Sequence, residues 1–218
     1  MSPLPSTMRR LVPNRVRDEP RLRAAAVGLG LIPPRTMHSD DDARVLAATA
    51  AGARCVVEIG VYEGSSALVL HDALSPAAEL HLIDPFGAHP DALPSGWGAT
   101  EWATRRVLAR AGRAAGGPGI VWHIALSHDV AADWREPVDL VFIDGDHSET
   151  GCAADWEDWH PFVAPGGAVV FHDARADQPD GRGLPGPTAV LARLRGSMPD
   201  GWSIAQEADR TVALRRDR

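Results

Sequence analysis

Acidic and imidazole side chains recur in this sequence at one kind of place, directly after short apolar runs. Val138-Asp139-Leu140-Val141-Phe142-Ile143 leads into Asp144-Gly145-Asp146-His147, and Ala168-Val169-Val170-Phe171 leads into His172-Asp173. Cys55-Val56-Val57-Glu58-Ile59 opens into Gly60-Val61-Tyr62-Glu63-Gly64-Ser65-Ser66, Leu80-His81-Leu82-Ile83 ends on Asp84, and Ile120-Val121-Trp122-His123-Ile124 precedes Ala125-Leu126-Ser127-His128-Asp129. Such groups can accept hydrogen bonds from a diol, ligate a divalent cation or carry a proton. If the runs before Asp144 and Asp173 are adjacent strands, their carboxylates converge. A chain without lysine must then place a cation or an arginine between them, or leave one protonated. A bound divalent metal is the economical solution. Gly60 and Gly64 let the backbone pass close to a ligand, although their G-x-x-x-G spacing is not the G-x-G-x-x-G of a pyrophosphate site. Each feature alone also has a plain explanation: a tight turn for the glycines, a surface acid for Asp84, a helix cap for Ser127-His128-Asp129.

These residues need a scaffold, and the spacing supplies one. Helical stretches at 64–75, 99–113, 127–134 and 149–163 separate the apolar runs, which predicts βαβ units and a parallel sheet buried on both faces. Segments Trp202 to Glu207 and Thr211 to Leu214 predict a terminal antiparallel hairpin. The expected fold is α/β and Rossmann-like, with seven mostly parallel strands and helices on both faces; ligands of such sheets bind beyond the strands' carboxyl ends. Ser39 and three aspartates predict a helix start, running to about Ala51 and stopping near Gly52. Residues 1–37, with their prolines and scattered arginines, read as an arm lying on a surface or a partner subunit, or as a partly disordered tail; residues 38–218 read as one domain. The Gly-, Pro- and Asp-rich segment Asp177 to Pro187 reads as a loop beyond the fifth strand, where it can cover a site. His71, His81, His123 and His160 read as scaffold, and Trp156, Trp159 and Phe162 as one packed helix face. Trp97 and Trp102 flank the stretch Pro85 to Gly98 and suit either an aromatic lid over a sugar ring or plain packing. Asp155 suits either a solvated surface or a place behind the site.

Composition narrows the partners. The 218 residues are 44% hydrophobic and 23% charged, enough for one globular core. Net charge is −7 and all 22 basic residues are Arg. That disfavours a broad nucleic-acid surface, which requires clustered positive charge. Arginine in place of lysine, with abundant Ala and Gly, is the usage of a GC-rich bacterial genome such as an actinobacterium's. Cys55 and Cys152 form no C-x-x-C pair, so neither a disulfide scaffold nor a zinc finger is expected. The N-terminal residues carry Arg9, Arg10, Arg15 and Arg17 without an apolar signal region, and no run is long enough for a membrane span. A cytoplasmic location is expected.

The set Glu58, Gly60, Gly64, Asp84, Asp144-x-x-His147, Pro165-Gly166-Gly167 and His172-Asp173 resembles the class I S-adenosylmethionine-dependent methyltransferases. It is most similar to the metal-dependent small-molecule O-methyltransferases related to the catechol, macrocin and mycinamicin enzymes. The resemblance spans about residues 40 to 195, and its specific part is Phe142-Ile143-Asp144-Gly145-Asp146-His147, Asp155, the Pro-Gly-Gly and the His-Asp pair. It implies that Glu58, Gly60, Gly64 and Ser65 hold the methionine end of S-adenosylmethionine, that Asp84 takes the ribose hydroxyls, and that Ser127 and His128 flank the adenine. Asp144 would border the cofactor and be the first metal ligand, with His172 and Asp173 completing the set; Mg²⁺ is the family's usual ion, while an imidazole at 172 favours Mn²⁺ or Co²⁺. His172 could instead turn into the sheet or toward the substrate, leaving Asp144, Asp173 and Asp146 as ligands. His147 would be the general base for in-line transfer of the methyl group to a hydroxyl of a small molecule, a sugar or glycoside such as a natural product, a glycolipid or a methylmannose-type polysaccharide precursor. A homodimer is the expected assembly. Rival readings are an NAD-dependent oxidoreductase, a catalytically silent cofactor-binding protein, and a methyltransferase acting on nitrogen or on a protein.

Overall fold

A computed structural model describes residues 19–87, 100–177 and 183–218. Helices α1 (Pro20–Leu29) and α2 (Asp40–Ala50) precede β1 (Cys55–Ile59), α3 (Ser65–Ala73), β2 (Glu79–Ile83), α4 (Glu101–Ala115), β3 (Gly119–His123) and α5 (Ser127–Asp133). Then come β4 (Val138–Ile143), α6 (Glu149–Trp159), a 3₁₀ turn (His160–Phe162), β5 (Val163–Phe171), α7 (Pro185–Gly196), β6 (Trp202–Ala208) and β7 (Thr211–Arg216). The seven strands form one sheet in the order β3-β2-β1-β4-β5-β7-β6. Pairings are parallel from β3 through β5, while β7 runs antiparallel to both β5 and β6. The expected seven-stranded sheet with a terminal hairpin is thus the fold.

The order of strands reverses between β1 and β4, which opens a crevice above their carboxyl ends. Apolar runs here are continuous because the central strands are covered twice. Val57, Val141, Phe171, Trp156 and Trp159 pack on one face. Val56, Leu80, Leu140, Phe142 and Leu70 pack on the other. With both faces buried, the sheet is a rigid floor for the side chains at its edge.

Three boundaries differ from the sequence expectations, each for a local reason. The helix expected over 149–163 stops at Trp159, because Pro161 has no N–H to continue the ladder, and Val163 already belongs to β5. The second half of the expected arm is not a loose segment: α1 occupies residues 20–29, with Glu19 capping its start, Pro20 at the first helical position and Gly30 closing it in a left-handed turn at φ 78°. Its Arg23 is buried and donates to Glu63 through Nε at 2.6 Å and Nη2 at 2.7 Å. Third, α7 begins at Pro185, inside the segment expected to be a loop. Residues 1–18 of the arm, Trp97 with most of the stretch before α4, and 178–182 lie outside the described residues.

Candidate active site

Parallel pairing of β4 with β5 sets Ile143 opposite Phe171, so Asp144 and His172 emerge side by side, with the His172 N–H donating to the Ile143 carbonyl at 3.1 Å. Asp173 follows at φ 53°, a left-handed conformation rare outside glycine that turns the chain at the strand tip. The His172 Nδ1 lies 2.9 Å from Asp144 Oδ1 and 3.5 Å from Asp173 Oδ2. From the loop after β4, His147 Nε2 lies 3.2 Å from the same Asp144 oxygen and 3.5 Å from Asp173 Oδ2. One potential ligand atom from each of these four residues falls within 4.8 Å of the others. His172 and Asp173 are buried. Burial opposes charge on Asp144, yet the His172 and His147 imidazoles beside it hold its carboxyl down at about 2. Its hydrogen bond to His147 raises that imidazole, and Asp144 and Asp173 raise His172 against its burial. Burial, with Asp144 adding to it, pushes Asp173 up.

The excess negative charge has a second partner that sequence reading did not find. Arg210, at the β6–β7 turn, brings Nη1 to 3.2 Å from Asp173 Oδ1. The same arginine reaches back to α2: its main-chain N–H donates to Asp42 Oδ1 at 3.0 Å, and its guanidinium donates to the Met37 carbonyl. Asp42 is buried and forms a capping box with Ser39.

Across the crevice, Glu58 on β1 is fully buried, and burial drives its carboxyl well above the usual carboxylate range. Ser66 Oγ donates to Glu58 Oε1, whereas Oε2 has no protein partner. A buried acceptor left open beside a crevice fits a ligand donor, such as the ammonium of a methionine moiety. Met37, His38, Asp42, Ser66, Asp144 and His172 are among the residues around a small cavity that joins this region to the cluster. Asp84 closes the β2 tip and spends its carboxylate on backbone: Oδ2 accepts from the Val61 and Tyr62 N–H groups at 2.9 and 2.8 Å, and Oδ1 from Phe86 at 2.7 Å. Gly60 has φ 85°, and a Cβ there would strike the Asp144 carbonyl; its glycine serves the seam between the β1 and β4 turns. Gly64, also at φ 85°, caps α3, with Ser65 the first helical residue.

Not every expected residue converges. His128, expected beside the adenine, has a side chain 74% exposed and turned to Asp158 at 2.9 Å, because the turn of α5 that carries it faces α6 and solvent. Ser127 instead donates to Asp155, which is buried under Gly145 and raised by that burial to about 6. Asp146 is not in the cluster, since its two oxygens accept from the Ser148 N–H and hydroxyl at 2.8 and 2.9 Å. Trp102 lies against Gly28 of α1 and under Arg106, with half of its surface exposed. Ser66 and Asp42 were within reach of sequence reading, the first next to the recognised Ser65 and the second in the acidic start of a predicted helix. Arg210 gave no signal of its own.

An open sheet of this order, with acids and a glycine turn at the carboxyl ends of β1, β2, β4 and β5, defines a class I, S-adenosylmethionine-dependent methyltransferase fold. A family model described as "Methyltransferase domain" matches residues 57–174. This match covers more than half of the chain, which belongs to that family, and the oxidoreductase reading falls away. Among solved structures, Rv0187 from MTB, cofactor-bound, is 21% identical with TM-score 0.62 over 99% of this chain and 98% of its own. The O-methyltransferase TomG of Streptomyces achromogenes, involved in tomaymycin synthesis and solved with SAM, is 22% identical with TM-score 0.60, covering 92% of this chain and 91% of that one. A Bacillus cereus O-methyltransferase in complex with SAH is 17% identical with TM-score 0.58 over the same shares. At these identities the likeness is one of fold. Among the described residues no helix is long and apolar enough to cross a membrane.

Proposed function

We propose that the chain is an O-methyltransferase that moves the methyl group of S-adenosylmethionine to a hydroxyl of a small polyhydroxylated acceptor, a sugar or glycoside, with a divalent metal at the strand tips. The observation that carries this reading is the convergence of Asp144, His147, His172 and Asp173 at the end of β4 and β5. Two carboxylates and two imidazoles within reach of one point suit a divalent ion, and the nitrogen donors favour Mn²⁺ or Co²⁺ over Mg²⁺. Asp144, Asp173 and His172 would hold it, and it would supply Lewis acidity toward the acceptor oxygen.

The chain's own groups do the rest. Glu58 Oε2 and Ser66, with the α3 start at Gly64 and Ser65, receive the methionine end. Asp84 keeps the Gly60 to Tyr62 turn in shape through its three amides and offers its remaining lone pairs to the ribose. Ser127, held by Asp155, lines the adenine side. His147 Nε2 takes the proton of the acceptor hydroxyl while that oxygen bonds to the methyl carbon; the C–S bond breaks and its electron pair stays on sulfur, giving S-adenosylhomocysteine. A sugar hydroxyl is a weak acid, so proton acceptance and a neighbouring positive charge both lower the barrier. The test is incubation with S-adenosylmethionine and a panel of glycosides, phenols and amines, reading S-adenosylhomocysteine release and product mass before and after chelation. Methylation of a hydroxyl acceptor, lost on chelation and restored by Mn²⁺ or Co²⁺, is expected. Exclusive methylation of amines, or turnover untouched by exhaustive chelation, overturns the acceptor or the metal respectively.

A further inference from the structure

The two imidazoles and two carboxylates at the strand tips do not orient themselves. His172 has two ring nitrogens, and only the one that carries no proton can offer a lone pair. Asp173 has two oxygens on a residue held in a left-handed conformation. Something must choose which nitrogen and which oxygen face the cluster. Two residues from elsewhere in the chain stand at the right places.

We propose that Asp42 in the first turn of α2 and Arg210 at the β6–β7 turn are positioning residues for the metal cluster, Asp42 keeping the His172 proton on Nε2 and Arg210 holding Asp173 by Oδ1. This inference rests on the metal reading above. His172 Nδ1 faces Asp144 and Asp173, whereas its buried Nε2 has no hydrogen-bond partner and points toward Asp42 Oδ2 at 3.9 Å. Among the described residues the carboxylate facing that nitrogen is Asp42, itself 2% exposed. A carboxylate behind the far nitrogen of a ligating histidine fixes the tautomer and the ring plane. Both residues line the same small cavity.

Arg210 completes the layer. With Nη1 on Asp173 Oδ1 at 3.2 Å, it leaves Oδ2 to face His147 and His172, each at 3.5 Å. Its Nε lies 3.7 Å from Asp42 Oδ2, and its backbone carbonyl accepts from the Ala174 N–H at 2.8 Å, next to Asp173. One arginine thus ties the acid of α2 to the acid of β5. The bland alternative is that Asp42 merely caps α2 through Ser39 and that Arg210 merely neutralises charge. That alternative predicts a stability change without any change in the cluster's affinity for a metal.

The deciding experiment titrates Mn²⁺ into the metal-free full chain by electron paramagnetic resonance, with circular dichroism to verify folding. Variants are Asp42→Asn, Arg210→Met and Arg210→Lys, with Val45→Ala as the control that weakens the packing of the same helix while leaving Asp42 and its partners in place. Removal of a residue that orients metal ligands weakens affinity about 10- to 100-fold. Asp42→Asn and Arg210→Met are expected to fall in that range, Arg210→Lys to recover part of the loss, and Val45→Ala to bind Mn²⁺ like the wild type while melting earlier. Co²⁺ absorption in the variants should show an altered ligand field. Folded Asp42→Asn and Arg210→Met proteins that bind Mn²⁺ like the wild type overturn the positioning role and leave the metal reading standing. Wild-type protein that takes up neither Mn²⁺ nor Co²⁺ overturns the metal reading, and this inference with it. If Arg210→Met does not fold, Arg210→Lys and Asp42→Asn decide by the same criterion.

Discussion

His147 stands at the join of two roles, because its Nε2 faces Asp144 and Asp173 while its side chain is 36% exposed toward the crevice. A base and a ligand give different signatures. His147→Ala should lower kcat by about 10²-fold as removal of a general base does, while Mn²⁺ affinity and S-adenosylhomocysteine binding stay near wild type. A matching collapse of Mn²⁺ affinity would make His147 a fourth ligand and move the base elsewhere. Asp155 makes a separate claim through its protonation. Its folded carboxyl, at about 6 against an ordinary 3.8, keeps a proton between those values that the unfolded chain has released. Stability therefore falls as pH rises through that window, by about 3 kcal/mol in all, and levels off above it. Urea unfolding at about pH 4 and about pH 7 should show the slope, and Asp155→Asn should reduce it, the raised Glu58, Asp173, His147 and His172 supplying the remainder. Of the residues themselves, Asp144, His172 and Asp173 were legible because an acid or imidazole that ends a β-branched run must sit at a strand tip. The direction His128 takes, toward Asp158, was not legible, because a helix start fixes the backbone of a turn but not which way its second side chain faces.

At the scale of elements, the seam between the β1 and β4 turns tolerates no side chain at position 60. Gly60→Ala puts a Cβ into the Asp144 carbonyl at a positive φ, so a loss of roughly 3 kcal/mol or more is expected, together with reduced cofactor affinity, since the carbonyl belongs to a site residue. Helix α1 controls the same turn from outside. Arg23 and Glu63 are buried together, and the Arg35 N–H also donates to Glu63. Removing one partner strands the other, so Arg23→Met should cost about 3–5 kcal/mol, read by chemical denaturation. The double replacement with Glu63→Gln should cost less than Arg23→Met alone, since it strands no charge. The strands were readable from their apolar runs and the helices between them from spacing. Helix α1 also carried its signals, Glu19, Pro20 and Gly30, but the surrounding prolines read as an arm. What no local pattern holds is the meeting of Asp42 with Arg210, whose sequence separation is 168 residues. That contact exists only because β7 inserts beside β5, a matter of sheet order and not of spacing.

For the whole molecule, a metal that binds only the folded chain stabilises it by mass action. Mn²⁺ at about 100 times its Kd should add ~2.7 kcal/mol, a rise in Tm of roughly 5–10 °C, which chelation reverses. An unchanged melting curve at saturating Mn²⁺ would count against the cluster as an ion site. The sheet order carries a further consequence, for the order in which the chain can fold. Strand β7 follows β6 in sequence yet lies between β5 and β6. Until β7 docks, β5 is a bare apolar edge, with Val169, Val170 and Phe171 open to pairing with another strand. Only when Thr211 to Arg216 pairs with β5 is that edge sealed, and the same event delivers Arg210 to Asp173. A chain folded only as far as α7 therefore exposes an edge open to aggregation and lacks the Arg210 contact to Asp173.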